Sequence, residues 1–169
     1  MKILVFSVSH DNPKYLAAAL REHKGTVDLA IHLGDGLSDM RRVGDLLEGV
    51  ATATVIGNGE QFFERRLWAD VPDETVISPD GVRILCCHGH KYRVKFGLSA
   101  LADRADEIGA DLVLFGHTHN AFDGWERSGS GKEIRFFNPG SVGLGYPPSY
   151  GIVETVDGKF ITSHRFFDL

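Results

Sequence analysis

Apolar runs that stop abruptly at polar turns dominate this chain, and no other feature restricts its fold as much. The runs cover residues 2–7, 27–33, 51–56, 82–87 and 111–115. They end at Ser7-Val8-Ser9-His10, Gly34-Asp35, Gly57-Asn58-Gly59-Glu60, His88-Gly89-His90 and Gly116-His117-Thr118-His119. A short, unbroken apolar run is the signature of a strand buried on both faces. A strand that ends in such a turn delivers its next side chains to the open edge of a sheet, where ligands bind in α/β folds.

Helical periods lie between the runs. Asp11-Asn12-Pro13 reads as a helix start, with Tyr15, Leu16, Ala19 and Leu20 on one face and Gly25 as the stop. Ser38 is the expected cap of a second helix with apolar Met40, Val43, Leu46 and Leu47, ending at Gly49. Short amphipathic segments at 60–67 and 98–109 read as further helices. The last third instead predicts hairpins, 121–127 with 133–138 and 150–156 with 159–166, beside an earlier one at 74–78 and 82–87. Strand–helix units followed by hairpins predict an α/β fold of two packed mixed β-sheets flanked by helices, a single domain over residues 1–169.

A chain of 169 residues is long enough to bury a sizeable core. Its net charge of −5 argues against gripping long nucleic acid by electrostatics, though not against a small phosphate ester held on metal. No apolar run approaches the length of a membrane span, so no membrane partner is expected. Adjacent Cys86 and Cys87 in one strand point to opposite faces, and reduced, buried thiols in a cytoplasmic protein are the expectation.

The turns carry Asp, Asn and His, oxygen and imidazole donors that suit a pair of divalent ions. A bridging carboxylate is needed where two ions lie close together, and Asp35 is placed for it. Asn and neutral imidazoles complete the shell without piling negative charge beside a phosphate. Asn-Gly alone would be a common turn, but with the other motifs Asn58 reads as a ligand.

Gly34-Asp35, Gly57-Asn58, His88-Gly89-His90 and Gly116-His117-Thr118-His119, followed by Asn138-Pro139-Gly140-Ser141, occur in an order that resembles the calcineurin-like metallophosphoesterases. The likeness is strongest to their small YfcE-like phosphodiesterase branch, to which the metallophosphoesterase-like retromer subunit is related. It covers essentially the whole chain. The resemblance implies a four-layer αββα fold and a metal-dependent phosphoesterase, in particular a phosphodiesterase, using metal-bound hydroxide for in-line attack. It implies two divalent ions, Mn foremost, with Ni, Fe, Co, Zn or Mg as alternatives. Asp35 would bridge them; Asn58, His88 and His117 would complete the second site, and His10 and His119 would serve the first.

The family's first motif is Asp-x-His, and here Val8 stands at the Asp position. Val8 offers no lone pair, so the first site is expected to be weakened and partly occupied. Asp11 is assigned to capping the first helix rather than to replacing that ligand. Gly59 stands where larger relatives carry a His near the leaving group, which leaves His90, with Asp35, as the catalytic assignment. The alternative function is a catalytically impaired binding or scaffold protein on the same fold; a phosphatase of monoesters is a third.

Other residues receive plainer assignments. His32 is a strand histidine near the site, and His23 and His164 carry no function. Arg41-Arg42 and Arg65-Arg66 are solvated helix faces, the 138–141 loop is a rim element, and Phe62, Phe63, Tyr92 and Phe96 are either rim or core. The small phosphate-ester substrate is left unnamed, and a homo-oligomer is left open.

Overall fold

The computed structural model describes residues 1–168. Strands β1 (Lys2–Phe6), β2 (Leu29–His32) and β3 (Ala51–Thr54) run parallel. β9 (Ser149–Val156) adds antiparallel to β1, and β10 (Lys159–Phe166) antiparallel to β9, giving the order β10-β9-β1-β2-β3. The second sheet has the order β4-β5-β6-β8-β7, with β4 (Glu74–Ile77), β5 (Ile84–Cys87), β6 (Leu112–Leu114), β7 (Ala121–Arg127) and β8 (Glu133–Pro139). Its centre, β5, β6 and β8, is parallel, and its two edges are antiparallel.

The two-residue period of a strand explains the layering. Ile3 and Val5 face Ile84, Cys86, Leu114 and Phe137 of the other sheet, forming the central core. Leu4 and Phe6 turn outward onto Leu16, Ala19 and Leu20 of α1 (Lys14–Glu22). On the far side Leu85, Cys87 and Val113 receive Leu101, Ala102 and Ala105 of α4 (Ser99–Glu107). Strands covered on both faces need apolar residues at every position, and that requirement produced the unbroken runs. Cys86 and Cys87 fall on opposite faces as expected; both are free and buried, and burial pushes the Cys86 thiol up to about 12.

Several local expectations are corrected. The second helix, α2 (Leu37–Arg42), starts from Gly36 rather than Ser38 and gives way to a short 3₁₀ turn, Gly44–Leu47. Asp11 does not cap α1; it is exposed and pairs with Arg42 at 3.1 Å. Arg42 also holds the buried Asp39 at 2.9 Å, and Arg41 lies over the Trp68 ring at 3.9 Å; both arginines are exposed, as expected, while making these contacts. The helix expected at 60–67 is α3 (Asn58–Phe63), and its apolar residues Phe62 and Phe63 face solvent.

His32 is fully buried beside Ser9, with its Nδ1 accepting the Gly34 N–H. Burial pushes its imidazole down to about 4, against the opposing charge of Glu60. The unfolded chain therefore binds a proton below pH 6.5 that the folded chain refuses until about pH 4. Stability of the metal-free protein is expected to fall through that window by about 3 kcal/mol from His32. Denaturant melts at pH 7 and pH 4.5 check this. His32→Gln should flatten the slope, and an unchanged slope would assign it to other histidines.

Candidate metal centre

Three parallel strands of each sheet end at one edge of the sandwich, so the polar turns meet there. Left-handed backbone aims the side chains: His10, Asp35, His117 and His119 all have φ between 42° and 64°. Asp and His tolerate this conformation better than β-branched residues do. Close approach needs glycine on both sides. A Cβ at Gly34 would lie 2.4 Å from the Gly57 nitrogen, and one at Gly57 would lie 2.2 Å from Asp35 Oδ1.

At the centre, Asp35 Oδ2 is 3.3 Å from His88 Nε2 and 3.6 Å from His10 Nε2. Asn58 Oδ1 is 3.0 Å from the same His88 nitrogen. Asp35, His88 and His117 each bring a ligand atom within 4.8 Å of the others. The His88 and His117 rings are 5.0 Å apart, and His10 and His119 form a second, looser pair at 6.0 Å. The expected residues are thus gathered in two groups around Asp35, the Asn58 side tight and the His10 side open.

The tautomer of His88 tests whether this donor set suits a cation. Its Nδ1 donates to the Leu33 carbonyl at 2.6 Å, which leaves the Nε2 lone pair of a neutral ring facing Asp35 and Asn58. Three acceptors then converge with no hydrogen between them. Either an added proton or a cation resolves that arrangement, and carboxylate, amide and imidazole together fit a divalent ion. Burial, followed by repulsion from His88 in its protonated form, lowers the His117 imidazole to about 4, which keeps its lone pair free at neutral pH. Burial works against ionising Asp35, but His88 when its Nε2 is protonated, the Gly59 N–H at 2.7 Å and His10 outweigh it and hold the carboxyl well below its usual range.

His90 stands beside this group, with ring centroids 5.4 Å from His88 and 6.1 Å from His117. Its Nε2 meets Gln61 Oε1 at 2.6 Å, a partner absent from the sequence reading. Val8 is fully buried and carries φ of 58°, yet it belongs to none of the four apolar clusters. Its backbone is well tied: the N–H donates to Gly34, and the carbonyl accepts from Gly143 and the Ser141 hydroxyl.

Two positioning groups escaped the sequence. Glu60 is buried and accepts four backbone N–H groups, from Asp35, Gly36, Leu37 and Gly57, at 2.6 to 3.0 Å. It fixes the Asp35 turn to the start of α3. Its place three residues after Gly57 offers only half of a capping-box signal, because glycine has no side chain to return the bond, and its reach to the Asp35 turn was not legible. Asn138 donates to the Gly116 carbonyl and the Thr118 hydroxyl, while Ser141 bonds Val8. The 138–141 loop therefore braces the first and last turns instead of merely forming a rim.

Comparison with known proteins agrees with this edge-on cluster. Residues 1–158 match the calcineurin-like phosphoesterase superfamily domain. A curated relative, the probable metallophosphoesterase YsnB of Bacillus subtilis (strain 168), is 33% identical over 148 residues, covering 85% of this chain and 76% of YsnB. A Streptococcus pneumoniae TIGR4 crystal structure described as a predicted phosphoesterase superposes with TM-score 0.74 at 28% identity, covering 98% of this chain and 88% of that one. The E. coli phosphoesterase YfcE shares the fold, with TM-score 0.66 at 20% identity and 98% of each chain covered. With the match spanning nearly the whole sequence and the donor-rich turns gathered at one sheet edge, the chain belongs to the calcineurin-like phosphoesterase superfamily.

Proposed function

We propose that this protein is a metal-dependent phosphodiesterase that hydrolyses a small phosphate ester at a dinuclear centre. The observation that carries the reading is the convergence of Asp35, Asn58 and His88 acceptors, with His117 alongside. Asp35 would be shared by both ions, with Asn58, His88 and His117 completing the second site and His10 and His119 serving the first. The chemistry such ions supply when bound is Lewis acidity toward phosphoryl oxygens and water.

The chain's own residues supply the rest. Glu60 keeps the Asp35 turn fixed through its four N–H bonds, so the shared carboxylate needs no reorganisation. His90, its Nε2–H held by Gln61 Oε1, is the group assigned to the leaving oxygen. Manganese is the first metal to test. Turnover of bis(4-nitrophenyl) phosphate with Mn, Ni or Mg, alongside elemental analysis of the purified protein, tests the reading. Two ions per chain with turnover support it, and inactivity with all three metals overturns it.

Val8 favours a second reading, a catalytically impaired binding or scaffold protein, because an apolar side chain stands where the family's first carboxylate is expected. One tightly held ion without turnover would select it.

A further inference from the structure

We propose that the cavity beside His10 selects the organic group of the substrate: an uncharged or cationic alcohol, and not one carrying a second phosphate. This rests on the phosphoesterase reading above. The cavity measures about 280 Å³ and opens directly from His10 and Asp35. Its walls are Asp11, Ser38, Phe63 and Glu64. Room for roughly nine water-sized groups accommodates a polyol, an amino alcohol or a single ring.

The chemistry of the walls sets the selection. Phe63 is 88% exposed, an apolar ring presented to whatever enters from the ion side. The Asp11 and Glu64 carboxylates add acceptors and negative charge, and Ser38 adds a hydroxyl. Neither carboxylate is fully neutralised. Arg42 reaches Asp11 at 3.1 Å but also serves Asp39 at 2.9 Å, so one cation is divided between two anions. Among the described residues, the Glu64 carboxylate accepts only the neutral indole N–H of Trp68, at 3.0 Å.

A diester held at His10 and Asp35 would lay its alcohol against Phe63. Donor-bearing or cationic alcohols meet acceptors and a ring face, whereas a second phosphate meets two carboxylates.

The test compares 4-nitrophenyl diesters whose second alcohol is choline or glycerol 3-phosphate, with bis(4-nitrophenyl) phosphate as reference. The metal-loaded wild type is expected to favour the choline ester in kcat/KM by about tenfold or more. In the isosteric pair Asp11→Asn with Glu64→Gln that preference should shrink by about fivefold or more, and Phe63→Ala should lower the choline ester selectively. Calorimetric titration of phosphorylcholine and glycerol bisphosphate reads the same discrimination without turnover, and thermal melts confirm that each variant folds. An unchanged preference in the double variant, with the reference ester still turned over, overturns the proposal. If no ester is turned over, the phosphoesterase reading falls and the titrations decide the cavity: equal affinity for both ligands overturns its role, and a carboxylate-dependent preference upholds it.

Discussion

Replacing Glu60 by Gln is expected to lower the melting temperature by about 10 °C and weaken metal binding by about tenfold or more. Glu60 spends both carboxylate oxygens on backbone donors: Oε2 on Asp35 and Gly57, Oε1 on Gly36 and Leu37. Glutamine keeps one acceptor oxygen and turns an NH₂ group toward the other two N–H groups, so donors face donors. Each buried donor left without a partner costs about 1–3 kcal/mol, and about 4 kcal/mol for the substitution follows with partial relaxation. Glu60→Ala removes the donor clash but leaves all four N–H groups unbonded, and should be at least as damaging.

The metal effect separates positioning from bulk stability. The Asp35 N–H is itself one of the four donors, so losing Glu60 frees the turn that aims the shared carboxylate. Metal affinity measured well below the variant's melting temperature should still be weakened. Burial works against the Glu60 charge, but the N–H groups of Leu37, Gly36 and Asp35 prevail and hold its carboxyl below the ordinary range. Its stabilisation is therefore complete above about pH 4.5 and is lost as pH falls through the lowered value. A melt shifted by less than about 2 °C, with unchanged metal affinity, would show that water replaces Glu60 freely.

The contrast between Glu60 and the ligand turns explains what the sequence disclosed. Strands such as Lys2–Phe6 and Leu112–Leu114 are covered on both sides, so their identity is written locally as unbroken apolar runs. Their turns are equally local, because Gly-Asp and His-Thr-His need only a left-handed backbone to aim the side chains. The bracing is not local: Glu60 acts across 25 residues on Asp35, and Ser141 acts across 133 on Val8. No period or spacing encodes such bonds. The Ser38 cap failed for a related reason. A short polar residue near a helix start is a good local cap, but distant Glu60 already serves the N–H groups of Gly36 and Leu37. Between rim and core the sequence could not choose for Phe62 and Phe63, since an apolar helical stripe normally marks a core face and here faces solvent.

Val8→Asp is expected to raise metal affinity at the His10 side by about tenfold or more and to raise turnover with it. Two effects combine, and they act in different states. Valine at φ of 58° places a β-branched side chain in a left-handed conformation that costs about 1–2 kcal/mol, whereas Asp and Asn adopt it readily. Val8→Asn removes most of that strain without adding an anion and serves as the control. In the metal-free protein Val8→Asp introduces a buried carboxylate close to Asp35, so its strain relief is opposed by desolvation and like-charge repulsion. Added Mn should reverse that penalty. The decisive reading is the rise in melting temperature on adding Mn, larger for Val8→Asp than for the wild type or Val8→Asn. The well-bonded backbone at residue 8, tied to Gly34, Gly143 and Ser141, argues that the turn already has the shape a carboxylate would need. Equal Mn-induced shifts in all three proteins would mean that residue 8 does not face an ion. The weakness ascribed to the first site would then have to come from the open spacing of His10 and His119 themselves.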